Sequence, residues 1–265
     1  MNDAALVLVA FGTSTRARTT YAFIEKRVRE KYPDTHIQWA FSSRMLREKM
    51  GGKKSGWKSL EEILLELEAQ GIQKAAIQSL HVIPGVEFQK VVDAVTHSGL
   101  ETSVGMPLLS SDADYRTVAD ALAGRIPDQS EWATVLVGHG TYHPAGAAYL
   151  QFYRFLTARY PRNVFLSVVE GEPSWEDTLK LIRHSTVTKI KFIPLMFVAG
   201  EHIMHDVLGD ETDGGEESWK MQLSGYEIDG SERGLGFNEK IVDIYLEHLV
   251  KAMHALGEKV SRLSG

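Results

Sequence analysis

An internal repeat is the feature that most constrains the fold of this 265-residue chain. Residues 7–13 (Val-Leu-Val-Ala-Phe-Gly-Thr) align with residues 135–141 (Val-Leu-Val-Gly-His-Gly-Thr), an offset of 128. Farther along, residues 80–87 align with 195–202, and the offset has fallen to 115, a difference that matches residues 47–59 in length. Such a repeat is typical of two similar β-α-β lobes that face each other across a cleft.

Apolar runs alternate with amphipathic segments throughout, which predicts the α/β class with parallel sheets. The strands are predicted at residues 4–10, 37–41 and 74–82 in the first half, and at 135–137, 164–169 and 189–198 in the second. The best linker candidate is 127–130 (Pro-Asp-Gln-Ser), so we expect domains at 1–128 and 129–265. The last predicted helix, 238–256, is free to pack back on the first domain.

Composition excludes several classes of function. The chain has 29 Lys and Arg against 35 Asp and Glu, a formal charge of -6, so we expect neither a nucleic acid nor a membrane as partner. It has no cysteine, and any metal must therefore bind nitrogen or oxygen. The first ten residues resemble a strand more than a signal peptide, and no apolar stretch could span a bilayer, which favours the cytoplasm. The sequence allows a homo-oligomer.

The two halves differ in residue type at three equivalent strand ends. The first half carries Phe11, Ser42 and Glu87, and the second half carries His139, Glu170 and His202. Strand ends of a parallel sheet converge, and two imidazoles with one carboxylate suit a first-row divalent cation. Taken alone, His139 fits a structural histidine equally well. Glu172 competes with Glu170 as the carboxylate ligand.

Two charged segments have two interpretations each. Residues 44–58 hold six basic side chains against the single acid Glu48, which predicts either a solvated loop or a docking surface for a polyanion. Residues 206–217 are acidic, and they predict a solvated loop or, less commonly, a segment that delivers a metal. Charge alone does not decide between these readings.

Four motifs carry a resemblance to a known family: 11–14 (Phe-Gly-Thr-Ser), 80–87 (Leu-His-Val-Ile-Pro-Gly-Val-Glu), 138–141 (Gly-His-Gly-Thr) and 199–206, with Gly-Glu-His and His-Asp. Over nearly its whole length the chain resembles the anaerobic sirohydrochlorin cobaltochelatases, the class II chelatases of vitamin B12 synthesis. The resemblance implies two Rossmann-like lobes and insertion of Co²⁺ into sirohydrochlorin or precorrin-2, without an organic cofactor. Fe²⁺ or Ni²⁺ insertion into a related tetrapyrrole, and a non-catalytic tetrapyrrole or metal carrier, are the alternatives.

The resemblance also implies roles for individual residues. His139, Glu170 and His202 would bind the metal, and His139, assisted by Glu170, would accept a pyrrole proton. A substrate with eight carboxylates shifts the interpretation of the basic segment toward ligand contact, with Arg44 and Lys54 as the leading candidates. The other implied substrate-binding residues are Phe11, Gly12, Thr13, Ser14, His81, Glu87, Gly140 and Thr141. A buried structural histidine is the alternative role for His81.

Overall fold

The computed structural model describes residues 4–14, 19–200, 202–210, 217–231 and 233–257. They form two compact units. Unit 1 comprises the described residues of Met1–Leu108 and Val242–Gly265, and unit 2 comprises those of Leu109–Ile241. In this described part of the chain, no helix is long and apolar enough to cross a membrane.

Unit 1 is built on a four-stranded parallel sheet in the order β2-β1-β3-β4. Its strands are β1 (Ala4–Ala10), β2 (Ile37–Phe41), β3 (Lys74–Ser79) and β4 (Glu101–Gly105). Every residue of β1 is buried, as expected for an apolar run between two neighbouring strands. Its helices are α1 (Thr19–Lys31), α2 (Arg44–Lys49), α3 (Leu60–Ala69) and α4 (Val86–Thr96).

The basic segment of unit 1 is partly helical, where one of its two interpretations predicted a loop, and its Arg44 and Lys54 side chains are exposed to solvent. The Ser43 side chain accepts a hydrogen bond from the Leu46 backbone N at 3.4 Å and so caps α2. Leu46 is buried, and a 3-10 turn, Gly52–Ser55, follows. A cap and one buried leucine therefore order a segment whose charge pattern favours solvent.

Unit 2 repeats the sheet of unit 1, with four parallel strands in the order β6-β5-β7-β8. The strands are β5 (Trp132–Gly140), β6 (Val164–Glu170), β7 (Lys189–Pro194) and β8 (Glu227–Gly230). The helices are α5 (Asp112–Ala121), α6 (Ala147–Arg159) and α7 (Trp175–His184). Residues 80–82 and 195–198, which the sequence predicts as strand, lie beyond the ends of β3 and β7.

The same hydrogen bond occurs at equivalent points of the two units. The backbone N of Leu80 donates to the carbonyl of Val9 at 2.8 Å, and Leu195 donates to Val137 at 2.7 Å. Both pairs are those that the repeat aligns, with offsets of 115 and 128. The predicted α/β class with two similar parallel sheets is confirmed.

The two units differ from the domains predicted at 1–128 and 129–265 in the placement of two helices. Helix α5 lies in unit 2, where the Tyr160 hydroxyl donates to the carbonyl of Ala119 at 3.0 Å. Helix α8 (Glu239–Ala255) lies almost wholly in unit 1, where the Tyr245 hydroxyl donates to the carbonyl of His81 at 3.1 Å. The structure therefore divides the chain after Leu108, because α5 buries its apolar face in unit 2.

Candidate metal centre

His139 is the penultimate residue of β5, between two glycines that allow close backbone packing. Gly140 has φ +85°, and a Cβ there would collide with the carbonyl oxygen of Glu170 on β6. A Cβ on Gly138 would lie 2.8 Å from the Tyr149 ring. The half-buried His139 ring donates from Nδ1 to the carbonyl of Gly140 at 3.2 Å. Because a carbonyl only accepts, the proton of the neutral ring is on Nδ1 and the Nε2 lone pair is available.

His202 leads into a π-helical turn, Ile203–Val207, that is anchored in the core of unit 2. Ile203 and Val207 are both buried in the hydrophobic cluster beneath the turn. The His202 ring donates from Nδ1 to Oδ2 of Asp206 at 2.6 Å, a short, charge-assisted distance. Like His139, His202 therefore keeps its Nε2 lone pair available in the neutral ring.

The structure brings these two imidazoles together. Their ring centroids are 4.8 Å apart and the rings are nearly perpendicular, at 88°. Within the described residues, neither Nε2 atom has a hydrogen-bond partner. Imidazole nitrogens bind divalent metals at about 2.0–2.1 Å, so two rings at this separation can share one ion.

The two candidate carboxylates, Glu170 and Glu172, are placed differently. Glu170 ends β6 as the register partner of Gly140, and its exposed side chain lines the same pocket as His202. Glu172 instead accepts a hydrogen bond from the backbone N of Ser174 at 2.9 Å, just before α7. Among the described residues, no three His, Asp or Glu side chains cluster closely enough to hold one metal ion. The geometry thus assembles the histidine pair, and Glu170 lines the pocket that His202 also lines.

The pocket that contains His202 and Glu170 has a volume of about 860 Å³ and lies within unit 2. Its lining contains four acidic residues, two histidines and three aromatic residues: Glu170, Glu176, Asp206, Glu217, His202, His205, Tyr142, Trp175 and Trp219. No lysine or arginine occurs among the described lining residues. This charge distribution attracts cations and repels polycarboxylates.

His81, the strand-end histidine of unit 1, has both ring nitrogens engaged. Nδ1 lies 2.9 Å from the Ser79 hydroxyl and Nε2 lies 3.1 Å from the Ser42 hydroxyl. Burial lowers the pKa of His81 to about 4, against an opposing effect of Glu87 and a reinforcing one of Lys90. The ring is therefore neutral at pH 7, and both of its hydrogen-bond partners are serine hydroxyls.

Glu87 lies in the first turn of α4 and pairs with Lys90 at 2.6 Å. Burial raises the pKa of Glu87, but hydrogen bonds from Lys90 and Ser42 and the charge of Lys90 outweigh that effect. The net pKa lies below the usual value, so the carboxylate is charged at pH 7. Its Oε2 atom is buried, and within the part that the structure describes it has no hydrogen-bond partner.

The turns implied to bind substrate, at residues 11–14 and 140–141, are partly accessible to solvent. Phe11 follows β1 with 43% of its surface exposed, whereas Thr13 is buried and Ser14 is half-buried. Gly12 has φ +110°, and a Cβ there would lie 3.1 Å from the Trp57 ring. In unit 2, the Thr141 hydroxyl accepts from the backbone N of His143 at 3.0 Å. Phe11 thus offers the largest apolar surface of these residues.

The two basic candidates lie on the surface of unit 1. Arg44 begins α2, with its side chain 83% exposed and its Nε 2.8 Å from Oε1 of Glu48. The hydrogen bond and charge of Glu48 raise the pKa of Arg44. Lys54 is exposed in the 3-10 turn Gly52–Ser55. Both cations are open to an incoming anion.

Sequence reasoning placed Asp206 only in the family motif and the acidic segment 206–217, without a contact to His202, and it assigned no role to Tyr142. Asp206 follows His202 by four residues, the spacing at which side chains meet on a helical turn, so a helix prediction there could have found the pair. Tyr142 is 85% exposed and lines the pocket. The sequence alone could not place Tyr142 in the pocket, because a single exposed tyrosine after a strand has no distinguishing pattern.

One family of known proteins matches this chain over nearly its whole length. The sequence profile described as "Cobalt chelatase (CbiK)" matches residues 4–254. Sirohydrochlorin cobaltochelatase CbiKC of Nitratidesulfovibrio vulgaris is 32% identical, covering 97% of this chain and 93% of that protein. The sirohydrochlorin cobaltochelatase of Salmonella typhimurium is 34% identical, with coverages of 97% and 99%.

Solved structures share the fold at low identity. SirB from Bacillus subtilis with Fe³⁺ has a TM-score of 0.66 at 15% identity, covering 97% of this chain and 98% of that one. The sirohydrochlorin chelatase SirB from Bacillus subtilis subspecies spizizenii, in complex with cobalt, has a TM-score of 0.62 at 15% identity, with coverages of 98% and 99%. By the profile match and the two sequence relatives, the chain belongs to the CbiK family of cobalt chelatases.

Proposed function

We propose that this chain is a sirohydrochlorin cobaltochelatase, which inserts Co²⁺ into sirohydrochlorin. The observation that carries the proposal is the pair of imidazoles, His139 and His202, with ring centroids 4.8 Å apart. Each ring donates a hydrogen bond from Nδ1, so the Nε2 lone pairs of both rings can bind one ion. Both relatives named above carry the name of this activity.

The metal-binding step uses few protein ligands. His139 and His202 supply nitrogen, and we assign oxygen to Glu170, whose exposed side chain lines the same pocket as His202 and would approach the ion as the metal binds. This donor set suits first-row divalent ions. Three protein ligands leave coordination positions open for water and then for pyrrole nitrogen. The acidic wall of the pocket supports a role in attracting the cation. The site can therefore hold Co²⁺ and still release it to the macrocycle.

Insertion exchanges two pyrrole N–H protons for one Co²⁺, so the site needs a base as well as ligands. As the metal leaves Nε2 of His139, that lone pair becomes available to accept a proton. Glu170 ends the strand that pairs with the end of β5, and we assign it to assist His139 in passing the proton to solvent. Nε2 of His139 is therefore first a metal ligand and then the proton acceptor.

Substrate carboxylates need cations, which the pocket of unit 2 lacks among its described lining. We assign that contact to Arg44 and Lys54, whose side chains are exposed on unit 1. Backbone and hydroxyl groups at Gly12, Thr13, Ser14, Gly140 and Thr141 are the further candidates. The exposed ring of Phe11 suits the apolar face of a macrocycle.

The direct test is the absorption spectrum of sirohydrochlorin over time, with Co²⁺ and protein at one-hundredth of the substrate concentration. We expect complete conversion to the cobalt product at a rate proportional to protein. A tetrapyrrole or metal carrier would change the spectrum only in proportion to the protein added. That stoichiometric result would contradict the proposal.

Cobalt specificity needs a separate test, because the same nitrogen and oxygen ligands bind Fe²⁺, Co²⁺ and Ni²⁺. The solved SirB structures hold iron in one case and cobalt in the other. Anaerobic competition between Co²⁺ and Fe²⁺, and between Co²⁺ and Ni²⁺, at equal free concentrations should give mainly the cobalt product. A product mixture in which iron or nickel equals or exceeds cobalt would overturn the cobalt assignment.

We propose the cytoplasm as the compartment of this reaction, a location that fits a biosynthetic enzyme. Fractionation of cells that express the chain with a carboxyl-terminal tag should recover the protein and its chelatase activity with the cytoplasmic fraction. Recovery outside the cytoplasm would contradict this part of the proposal.

A further inference from the structure

Asp206 occupies a special position beside one of the two histidines. Its Oδ2 atom accepts the Nδ1 proton of His202 at 2.6 Å. The equivalent nitrogen of His139 donates to a neutral backbone carbonyl at the longer distance of 3.2 Å. The two imidazoles thus differ in the charge of their hydrogen-bond partners.

The backbone around Asp206 is fixed from both sides. Its carbonyl accepts from the backbone N of Trp219 at 3.0 Å, and the carbonyl of Val207 accepts from that of Lys220 at 2.9 Å. The Trp219 ring stacks on Trp175, with centroids 4.5 Å apart and planes within 1°. Val207 is fully buried directly after Asp206. The carboxylate therefore has a defined position from which to hold the His202 ring.

We propose that Asp206 is a positioning residue that fixes the His202 ring, with its proton on Nδ1, so that Nε2 binds the metal. The argument rests on the proposed function, in which His202 is a ligand. Metal-binding histidines commonly donate their other ring N–H to a carboxylate, which orients the ring and makes the ligating nitrogen more basic. An exposed ring without this partner would rotate and exchange its tautomer, since 44% of the His202 side chain is exposed.

Loss of the Asp206 carboxylate should lower the affinity of the protein for Co²⁺. Loss of such a partner typically weakens metal affinity about 10–100-fold. For Asp206→Leu, we therefore expect the Kd for Co²⁺ alone, measured by equilibrium dialysis, and the KM for Co²⁺ to rise by about that factor. The KM for sirohydrochlorin should stay within twofold. Asp206→Asn, whose amide oxygen still accepts from Nδ1, should recover part of the affinity.

The tautomer of His202 provides a readout that does not depend on activity. In the wild-type protein without metal, the ¹⁵N chemical shifts of the neutral His202 ring should report a protonated Nδ1. In Asp206→Leu, the shifts should move toward a protonated Nε2. If Asp206 had only a structural role, the His202 tautomer would stay the same in a variant whose unfolding temperature is unchanged.

The matched control is Asp210→Asn. It also removes one carboxylate charge from this segment, but Asp210 pairs with Lys220 at 2.6 Å and its side chain is 81% exposed. We expect its Co²⁺ Kd to stay within twofold of wild type. If Asp210→Asn weakens Co²⁺ binding as much as Asp206→Leu does, a general charge effect replaces the positioning role.

His202→Ala separates failure of this inference from failure of the proposed function. If His202→Ala weakens Co²⁺ binding while Asp206→Leu has wild-type Kd, KM and tautomer, the positioning role is overturned and the ligand role of His202 stands. If His202→Ala binds Co²⁺ like wild type, the proposed ligand fails, and the positioning role fails with it.

Discussion

The histidine of unit 1 and the histidine pair of unit 2 lie at or after the carboxyl ends of strands in two sheets of the same topology, yet they are held in opposite ways. His81 is buried, with a serine hydroxyl at each ring nitrogen. His139 and His202 each have Nδ1 engaged and Nε2 without a partner in the described residues. The number of hydrogen-bonded ring nitrogens, more than the presence of histidine, distinguishes His81 from the two proposed metal ligands.

The difference also shows how a duplicated fold can divide its tasks. At the ends of β1 and β2, unit 1 has Phe11 and Ser42 where the repeat places His139 and Glu170 in unit 2. Unit 1 carries instead the partly helical basic segment, and the repeat in unit 2 is shorter by the length of residues 47–59 of this segment. Under the proposed function, unit 2 handles the cation and unit 1 handles the anionic substrate. Each prediction below tests one side of that contrast.

The largest effect is expected from His139→Ala. The variant loses a metal ligand and a proton acceptor together, so kcat/KM should fall by about 10³-fold or more. Initial rates of the absorbance change measure it, and circular dichroism should show an unchanged fold, because among the described residues the side-chain hydrogen bond of His139 goes to the neighbouring carbonyl. His143→Ala, which removes an exposed histidine four residues farther along the chain, should keep its rate within a few-fold. A rate for His139→Ala within tenfold of wild type would refute the mechanism.

Gly12 and Gly140 are repeat equivalents that allow a direct comparison of stability. Both have positive φ, which costs a non-glycine residue about 1–2 kcal/mol. At Gly140 the new Cβ would also strike the backbone of Glu170, whereas at Gly12 it would meet the side chains of Trp57 and Leu46. Overpacking against rigid backbone adds about 1–3 kcal/mol, so Gly140→Ala should lose the larger free energy of unfolding. Urea unfolding measures both variants, and equal losses would mean that β6 yields as easily as the side chains do.

His81 should make the stability of the protein depend on pH. Its pKa is about 4 in the folded protein and about 6.5 in an unfolded chain, so protons bind the unfolded chain first as the pH falls below 6.5. Stability is full above pH 6.5 and declines until about pH 4, by about 3 kcal/mol from this group. In His81→Gln, the urea-derived free energy should vary less over that range by a similar amount. His97→Gln, which removes an exposed histidine, should keep the wild-type slope; an unchanged slope in His81→Gln would contradict the assignment.

The sequence predicted the parts of the fold that depend on local pattern and repetition. The apolar run of β1 and the alignment of Phe11 with His139 needed no coordinates, and the prediction of two similar parallel sheets followed from such patterns. Tertiary packing determined what the pattern missed. The burial of Leu46 orders α2, and the packing of α5 against α6 moves the unit boundary to Leu108.

The candidate site shows the same limit. Residue types suggested His139 and His202, but the engaged or available state of a ring nitrogen depends on partners that only folding brings near. Ser42 lies 39 residues from His81 in sequence, and no spacing rule connects them. Asp206 is close to His202 in sequence, but their contact requires the helical turn between them.

The smallest effect concerns the basic segment that distinguishes unit 1. If Lys54 contacts a substrate carboxylate, Lys54→Glu should raise the KM for sirohydrochlorin about 3–10-fold, as expected for one exposed charge contact and its reversal. The KM for Co²⁺ should not change, and the effect should shrink in 0.5 M salt because screening weakens exposed charges. Lys26→Glu on α1 reverses a charge that is also exposed, with 78% of its side chain accessible, and it should leave both constants unchanged. An unchanged KM in Lys54→Glu would show that Lys54 makes no docking contact. An equal rise in Lys26→Glu would show that net charge, without a contact at Lys54, governs substrate binding.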